Sequence, residues 1–314
     1  MSEPTTLLEA IRYFQDPDVC QDFMVTLRWP DGVIRCPTCG RDDVRYISTR
    51  RLWECKDKHA KRQFSVKVGT IFEDSAVSLD KWLAAIWMIA NAKNGVSSYE
   101  IARALGVTQK TAWFMLHRIR LAMQSDDFTK LDGIVEVDET FIGGKARFMH
   151  RDRQHAAVNG RGPVGKTAVL GLLERHEEGY STVRASVIRN RKAITLTGHV
   201  RQNVKRGAEV MTDAYKSYNT LERDFVHGVI DHAESYVEGK VHTNGIENFW
   251  ALLKRALKGT YVSVEPFHLF RYLDEQTFRF NSRKASDGDR FRSLSAAVTG
   301  KRLTYAELTA TTPA

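Results

Sequence analysis

Between residues 78 and 123 the apolar positions recur every three to four residues, the spacing of a helix with one buried face. Trp82, Ala85, Ile86 and Ile89 form the first such stripe. Ser97 or Ser98 then opens a short helix, with Glu100 placed to complete a capping box. Ile101, Ala102 and Leu105 are its inner side, Gly106 ends it, and Thr108 caps the next helix, "QKTAWFMLHRIR". Past Leu131 the pattern changes to strands. "DGIVEVDETFIGG" predicts a strand ending at Asp138 and Glu139, with "TAVLGLLER" and "YSTVRASVI" as two more. "AITLTGHVRQNV" reads as a helix. "GAEVMTDAYKSY" reads as a buried strand that delivers Asp213 at its end, followed by a helix. "FVHGVIDH" is a fifth strand candidate. The last strong pattern, residues 241–261, is an amphipathic helix. Ile246, Trp250, Leu253 and Leu257 are its apolar stripe, Asn244, Glu247, Lys254 and Lys258 its polar one, and Asn244 its expected cap. Three strands, helix, strand, helix, strand, helix is the order of a ribonuclease-H-like α/β domain.

Cysteine spacing adds a separate module. All four cysteines fall in the first fifth of the 314-residue chain. Cys36 and Cys39 form a C-x2-C knuckle followed by Gly40, and Cys55 and His59 supply a second pair. The interval between the pairs fits a two-stranded hairpin, so Cys36, Cys39, Cys55 and His59 are expected to hold Zn2+ in a zinc ribbon. Cys20 lies in a helix-like stretch and reads as a small buried hydrophobe. The expected organisation is α+β and multidomain: an N-terminal helical segment (1–30), a zinc ribbon (31–75), a helix-turn-helix (76–125), the ribonuclease-H-like domain (130–285) and a C-terminal tail (286–314).

Charge points to a polyanion. The formal net charge is +9, and the surplus is gathered in blocks. Residues 45–67 hold 8 basic and 2 acidic side chains, and residues 145–206 hold 14 and 4. Clustered cations suit phosphate. In the second helix of the helix-turn-helix, Gln109, Lys110 and Thr111 stand where base edges would be met. His117, Arg118 and Arg120 are expected to extend that basic surface, with Arg118 on DNA. Lys145 opens a basic segment, poor in apolar residues, that is expected to order on DNA. Lys258 follows on the polar stripe. No apolar run is long enough for a membrane span, and the N-terminus lacks the pattern of a secretory signal, so an intracellular protein is expected.

The chemistry is expected at three acids. Asp138, Asp213 and Glu247 sit at elements whose ends meet in a ribonuclease-H-like sheet. Gathered carboxylates repel, which is tolerable where divalent cations bind between them. Carboxylate oxygens suit Mg2+, with Mn2+ as its substitute. Glu139 is directed to the opposite face by strand geometry. His242 either assists at a phosphate or packs at the helix start.

At this point the chain resembles a bacterial insertion-sequence transposase of the DDE type, of the ISXO-two-like group with an N-terminal zinc ribbon. The likeness is carried, in family order over roughly residues 20–282, by "CPTCG", "KRQFSVKVGTIFEDS", "VDETFIGGK", "MTDAY" and "HTNGIENFWALLKR…GTY". It implies catalytic roles for Asp138, Asp213 and Glu247, and a further basic residue at Lys254. It also implies double-stranded DNA as partner, as terminal inverted repeats and as target, with homo-oligomerisation on DNA in a bacterial cytoplasm. Two other readings stay open: a DNA-binding protein without catalysis, and a ribonuclease-H-like nuclease or resolvase that cuts without joining.

Overall fold

The structure is a computed structural model that describes residues 3–125, 127–143, 165–176, 180–213, 215–230 and 242–310. The chain divides into two compact units, one of residues 1–124 and 284–314, the other of residues 125–283.

In the first unit, α1 (Leu7–Tyr13) starts at a capping box of Thr6 and Glu9, and α2 (Pro17–Arg28) starts at Asp16 with Pro17 in its first turn. The ribbon strands β1 (Val44–Ile47), β2 (Leu52–Cys55) and β3 (Gln63–Phe64) pair antiparallel in that order. Two or four residues per strand bury little, so aromatic rings supply the core. Trp53 of β2 packs against Trp29, Tyr46 and Phe64. Three helices follow: α3 (Leu79–Asn91), α4 (Ser98–Leu105) and α5 (Gln109–Met123). The expected punctuation is present. Ser97 and Glu100 form a capping box, Gly106 takes the left-handed conformation at φ +61°, and the Thr108 hydroxyl accepts from the Thr111 N–H.

Among the described residues, the second unit is a five-stranded sheet. Its strands are β4 (Ile134–Ile142), β5 (Thr167–Arg175), β6 (Thr182–Ile188), β7 (Glu209–Asp213) and β8 (Val226–Ile230), in spatial order β6-β5-β4-β7-β8. β4, β5 and β6 are mutually antiparallel, whereas β7 and β8 run parallel to β4. On one face α6 (Ala193–Asn203) buries Leu196 and Val200 against Val135, Val137, Leu170, Leu172 and Val210. On the other, α7 (Asn244–Ala256) and α8 (Leu269–Asn281) bury Ile246, Phe249, Trp250, Leu253 and Leu273 against Val169, Leu173 and Val183. Both faces are covered, which explains why β5 reads as an unbroken apolar run.

Four expectations are corrected. Asp138 is the fifth of nine residues in β4 and not its end, because pairing with β5 continues to Ile142↔Thr167. After β7 the chain makes short 3-10 turns at Lys216–Tyr218 and Leu221–Arg223, where a regular helix was expected. Asn244 is the first residue of α7, and Thr243 is its N-cap. Residues 286–314 are not merely a tail. α9 (Asp287–Ala296) buries Phe291 among Phe14, Phe23 and Trp87 of the first unit, and α10 (Tyr305–Thr309) follows.

Candidate functional site

The zinc ligands are gathered as their spacing predicted. One ligand atom from each of Cys36, Cys39, Cys55 and His59 lies within 4.8 Å of all the others. The Cys36 Sγ is 3.5 Å from the His59 Nε2, and the Cys39 and Cys55 sulfurs are 3.6 Å apart. The other ring nitrogen of His59 is 2.7 Å from the Ala60 carbonyl, which fixes the ring with Nε2 toward the sulfurs. Burial pushes the Cys36 thiol up, but the N–H groups of Cys39 and Thr38 outweigh it and bring the group down to about 7. Three thiols and an imidazole in this arrangement suit Zn2+. Cys20 stands apart, its thiol 3.1 Å from the Phe14 carbonyl and pushed up to about 12 by burial.

The acids are assembled differently. β4 and β7 pair in register through Glu136↔Met211. Two residues further along, the same parallel register sets Asp138 beside Asp213, on one face of the sheet. That face carries α7. The Trp250 indole N–H donates to Asp138 Oδ2 at 2.9 Å. Gly171, the cross-strand partner of Asp138, makes this approach possible. A Cβ there would lie 2.6 Å from both Ile246 Cδ1 and Trp250 Cζ2. Asp138 is pushed up to about 7, first by burial and then by the charges of Glu139 and Asp213, against the pull of the indole N–H. Asp213 closes β7, and its Oδ1 accepts from the Tyr215 N–H at 3.2 Å.

Glu247 is exposed in the first turn of α7, three residues before the buried Trp250. The Thr243 hydroxyl donates to its Oε1 at 3.1 Å. Among the described residues, the Cys/His quartet alone is gathered closely enough to hold an ion, and Asp138, Asp213 and Glu247 do not form such a group. Like-charged carboxylates repel one another, which favours their separation. Lys254 lies two turns beyond Glu247, half-exposed, and Lys258 is exposed on the π-helical turn Leu257–Tyr261 that continues α7.

Glu139 points to the other face, as strand alternation required. Its carboxylate pairs with Arg191 at 2.5 Å and accepts from the Tyr218 hydroxyl at 2.5 Å. His242 lies against Arg175, whose Nη2 is 2.7 Å from its Nδ1. Reading the sequence missed Trp250 as a partner of Asp138, and missed Gly171, Glu136 and Arg175 altogether. A glutamate two positions before Asp138, on the same side of an otherwise apolar strand, was the available signal.

The helical region yields a correction. Arg118 is buried, with its guanidinium donating to the carbonyls of Ile71, Glu73 and Leu303. His117 and Arg120 are buried as well, so this basic run faces inward and Arg118 does not present itself to DNA. Gln109 donates from Nε2 to the Ser98 hydroxyl at 2.8 Å, and Thr111 serves the helix cap. Lys110 is exposed, 4.7 Å above the Tyr305 ring. Lys145 and most of the basic segment after it lie outside the described residues. No helix among the described residues is long and apolar enough to cross a membrane.

Comparisons with known proteins match both regions of the chain. Residues 130–281 match the ISXO2-like transposase domain, and residues 15–59, ending at His59, match the transposase zinc-ribbon domain. An uncharacterized protein in transposable element ISH50 of Halobacterium salinarum is 27% identical over 264 residues, covering 79% of this chain and 85% of that protein. An uncharacterized transposase-like protein of Haemophilus influenzae is 35% identical over 97 residues, covering 31% of this chain and 78% of that protein. With a transposase zinc ribbon at residues 15–59 followed by the transposase domain at residues 130–281, the chain belongs to the ISXO2-like transposases.

Proposed function

We propose that this transposase binds the terminal inverted repeats of its element, cleaves the phosphodiester at each end and joins the freed 3′ ends to target DNA. One observation carries the catalytic part: Asp138 and Asp213 share a face of adjacent parallel strands, beneath the helix that bears Glu247. The strand order, with two parallel strands added to an antiparallel trio, supports a ribonuclease-H-like catalytic domain over residues 130–285.

Asp138, Asp213 and Glu247 would hold two Mg2+ ions, or Mn2+, through hard carboxylate oxygens. Such ions, held by these three carboxylates, would supply activation of the attacking water or 3′ hydroxyl and stabilisation of the leaving oxygen. The chain does the positioning. Trp250 orients the Asp138 carboxylate, and the Thr243 hydroxyl holds that of Glu247. Lys254, two turns along, meets a phosphate or the attacking strand end as a mobile point charge, and Lys258 extends that contact. Both steps are in-line displacements at phosphorus without a covalent protein intermediate.

Recognition of the repeats falls to the ribbon (31–75) and to α4 and α5 acting as a helix-turn-helix (76–125). Lys110 is the exposed contact at the start of α5, with Gln109 and Thr111 beside it. Two ends must be held together, so the active form is a homo-oligomer on DNA, in a bacterial cytoplasm. The test is a cleavage and strand-transfer assay with Mg2+ on DNA carrying the repeats that bracket the gene. Asp138→Asn and Glu247→Gln should each slow both steps by about a thousandfold. Near wild-type cleavage by either variant would remove the assignment of the acids.

A further inference from the structure

We propose that Glu136 is a positioning residue: held by Arg175, its carboxylate caps the helix that carries Glu247 and so sets where Glu247 stands relative to Asp138. The proposal rests on the reading of the three acids as the metal site.

Helix α7 begins without a cap of its own. The first N–H groups of a helix have no partner within it, and an N-cap side chain usually supplies one. Thr243 occupies that position but makes no such bond, and its hydroxyl goes to Glu247. The acceptor comes from 110 residues away in the chain. Glu136 Oε2 takes the Ile246 N–H at 2.8 Å. A bare carboxylate that is 1% exposed would be costly, and Arg175 offsets this with Nε at 2.6 Å from Oε1. The Arg175 Nη2 also donates to the His242 carbonyl at 2.5 Å, so one guanidinium ties both the cap and the chain entering the helix. Gly245 lets the carboxylate come this close. A Cβ there would be 2.9 Å from Oε2 and 3.0 Å from Oε1.

The register explains what the cap does. Glu136 and Asp138 are two residues apart on one side of β4, which is about 6.6 Å of strand. Their helix partners, Ile246 and Trp250, are four residues apart, which is about 6 Å of helix. One helical turn therefore rests on two carboxylates of a single strand. Glu247 lies on the turn between the two grips. Both oxygens of Glu136 are already engaged, by Arg175 and by Ile246, which leaves it a cap and not a fourth metal carboxylate. The Arg175 charge also keeps Glu136 from adding to the repulsion at Asp138 and Asp213.

The test uses the full chain without DNA and reads Mn2+ binding from the loss of the free-ion electron paramagnetic resonance signal, alongside thermal melting. Glu136→Ala should weaken Mn2+ binding by about 10- to 100-fold, the range for residues that support metal ligands. Glu136→Gln retains an oxygen for the Ile246 N–H and should stay within about threefold of wild type. Leu196→Ala, on the opposite core face, should lower the melting temperature without moving Mn2+ affinity. Should Glu136→Ala not fold, Glu136→Asp pulls the acceptor back by one methylene and should weaken binding by about tenfold. Wild-type Mn2+ affinity in Glu136→Ala or, failing that, in Glu136→Asp would overturn the proposal. So would a loss in Glu136→Gln as deep as in Asp138→Asn, which would make Glu136 a ligand. If Asp138→Asn itself keeps full Mn2+ binding and cleavage, the reading of the acids fails instead, a separate outcome.

Discussion

The two constellations of this protein are built on opposite plans. The Cys/His quartet spans 24 residues, and its ligand atoms lie within 4.8 Å of one another. The acids span 110 residues, come from two strands and a helix, and form no such ion-holding group among the described residues. A knuckle and a hairpin can bring four soft ligands to one ion using local chain geometry alone. Carboxylates contributed by distant segments need a sheet to set their spacing and a helix docked on it. The zinc cluster therefore organises its own surroundings, whereas the acids depend on surroundings already organised. Perturbing each should show the difference.

The largest effect is expected at the ribbon. Stripping zinc with a chelator, or Cys36→Ser, should unfold residues 31–75, since zinc supplies about 10 kcal/mol of folding free energy in small zinc modules. Circular dichroism and repeat binding should fall together, while the melting transition of the second unit stays. Retained repeat binding would separate recognition from the ribbon. At the acids the reverse is expected. Asp138→Asn should leave the fold and repeat binding intact yet slow cleavage by about a thousandfold, roughly 4 kcal/mol of barrier, measured in single-turnover assays with Mg2+.

The third effect concerns pH. Asp138 is raised from 3.8 to about 7, so it is neutral in both folded and unfolded chains well below pH 4. Between those values the folded protein keeps a proton that the unfolded chain has released, so stability falls as pH rises. Above about 7 the slope ends. The second unit should lose on the order of 4 kcal/mol across that window without divalent ions, and Asp138→Asn should flatten the loss in denaturant titrations. An unchanged slope in Asp138→Asn would place the titration elsewhere. The smallest effect is steric. Gly171→Ala forces α7 off β5 at Ile246 and Trp250 and should cost about 2 kcal/mol, read from urea midpoints. Cleavage should drop in the same variant, because the Trp250 bond to Asp138 is displaced.

Much of this was legible before any coordinates. Spacing alone identified Cys36, Cys39, Cys55 and His59, because ligands close in sequence can meet only by a turn. Ser97, Gly106 and Thr108 announced the ends of α4 and α5, because caps are satisfied within a few residues. Residue type was a poorer guide to what arginines do. Arg118 read as a DNA contact, yet it serves the carbonyls of Ile71, Glu73 and Leu303, a role that depends on where a distant backbone passes.

Local pattern thus dictated the elements, their caps and the metal ligands that lie near each other in the chain, because those depend on backbone geometry over one or two turns. Packing dictated the rest. Asp138 proved to be mid-strand, Trp250 its hydrogen-bond partner, Gly171 the gap between them and Glu136 the cap of a helix 110 residues on. Each of these depends on which strand lies beside which and at what register. That is settled only when both faces of the sheet are buried at once.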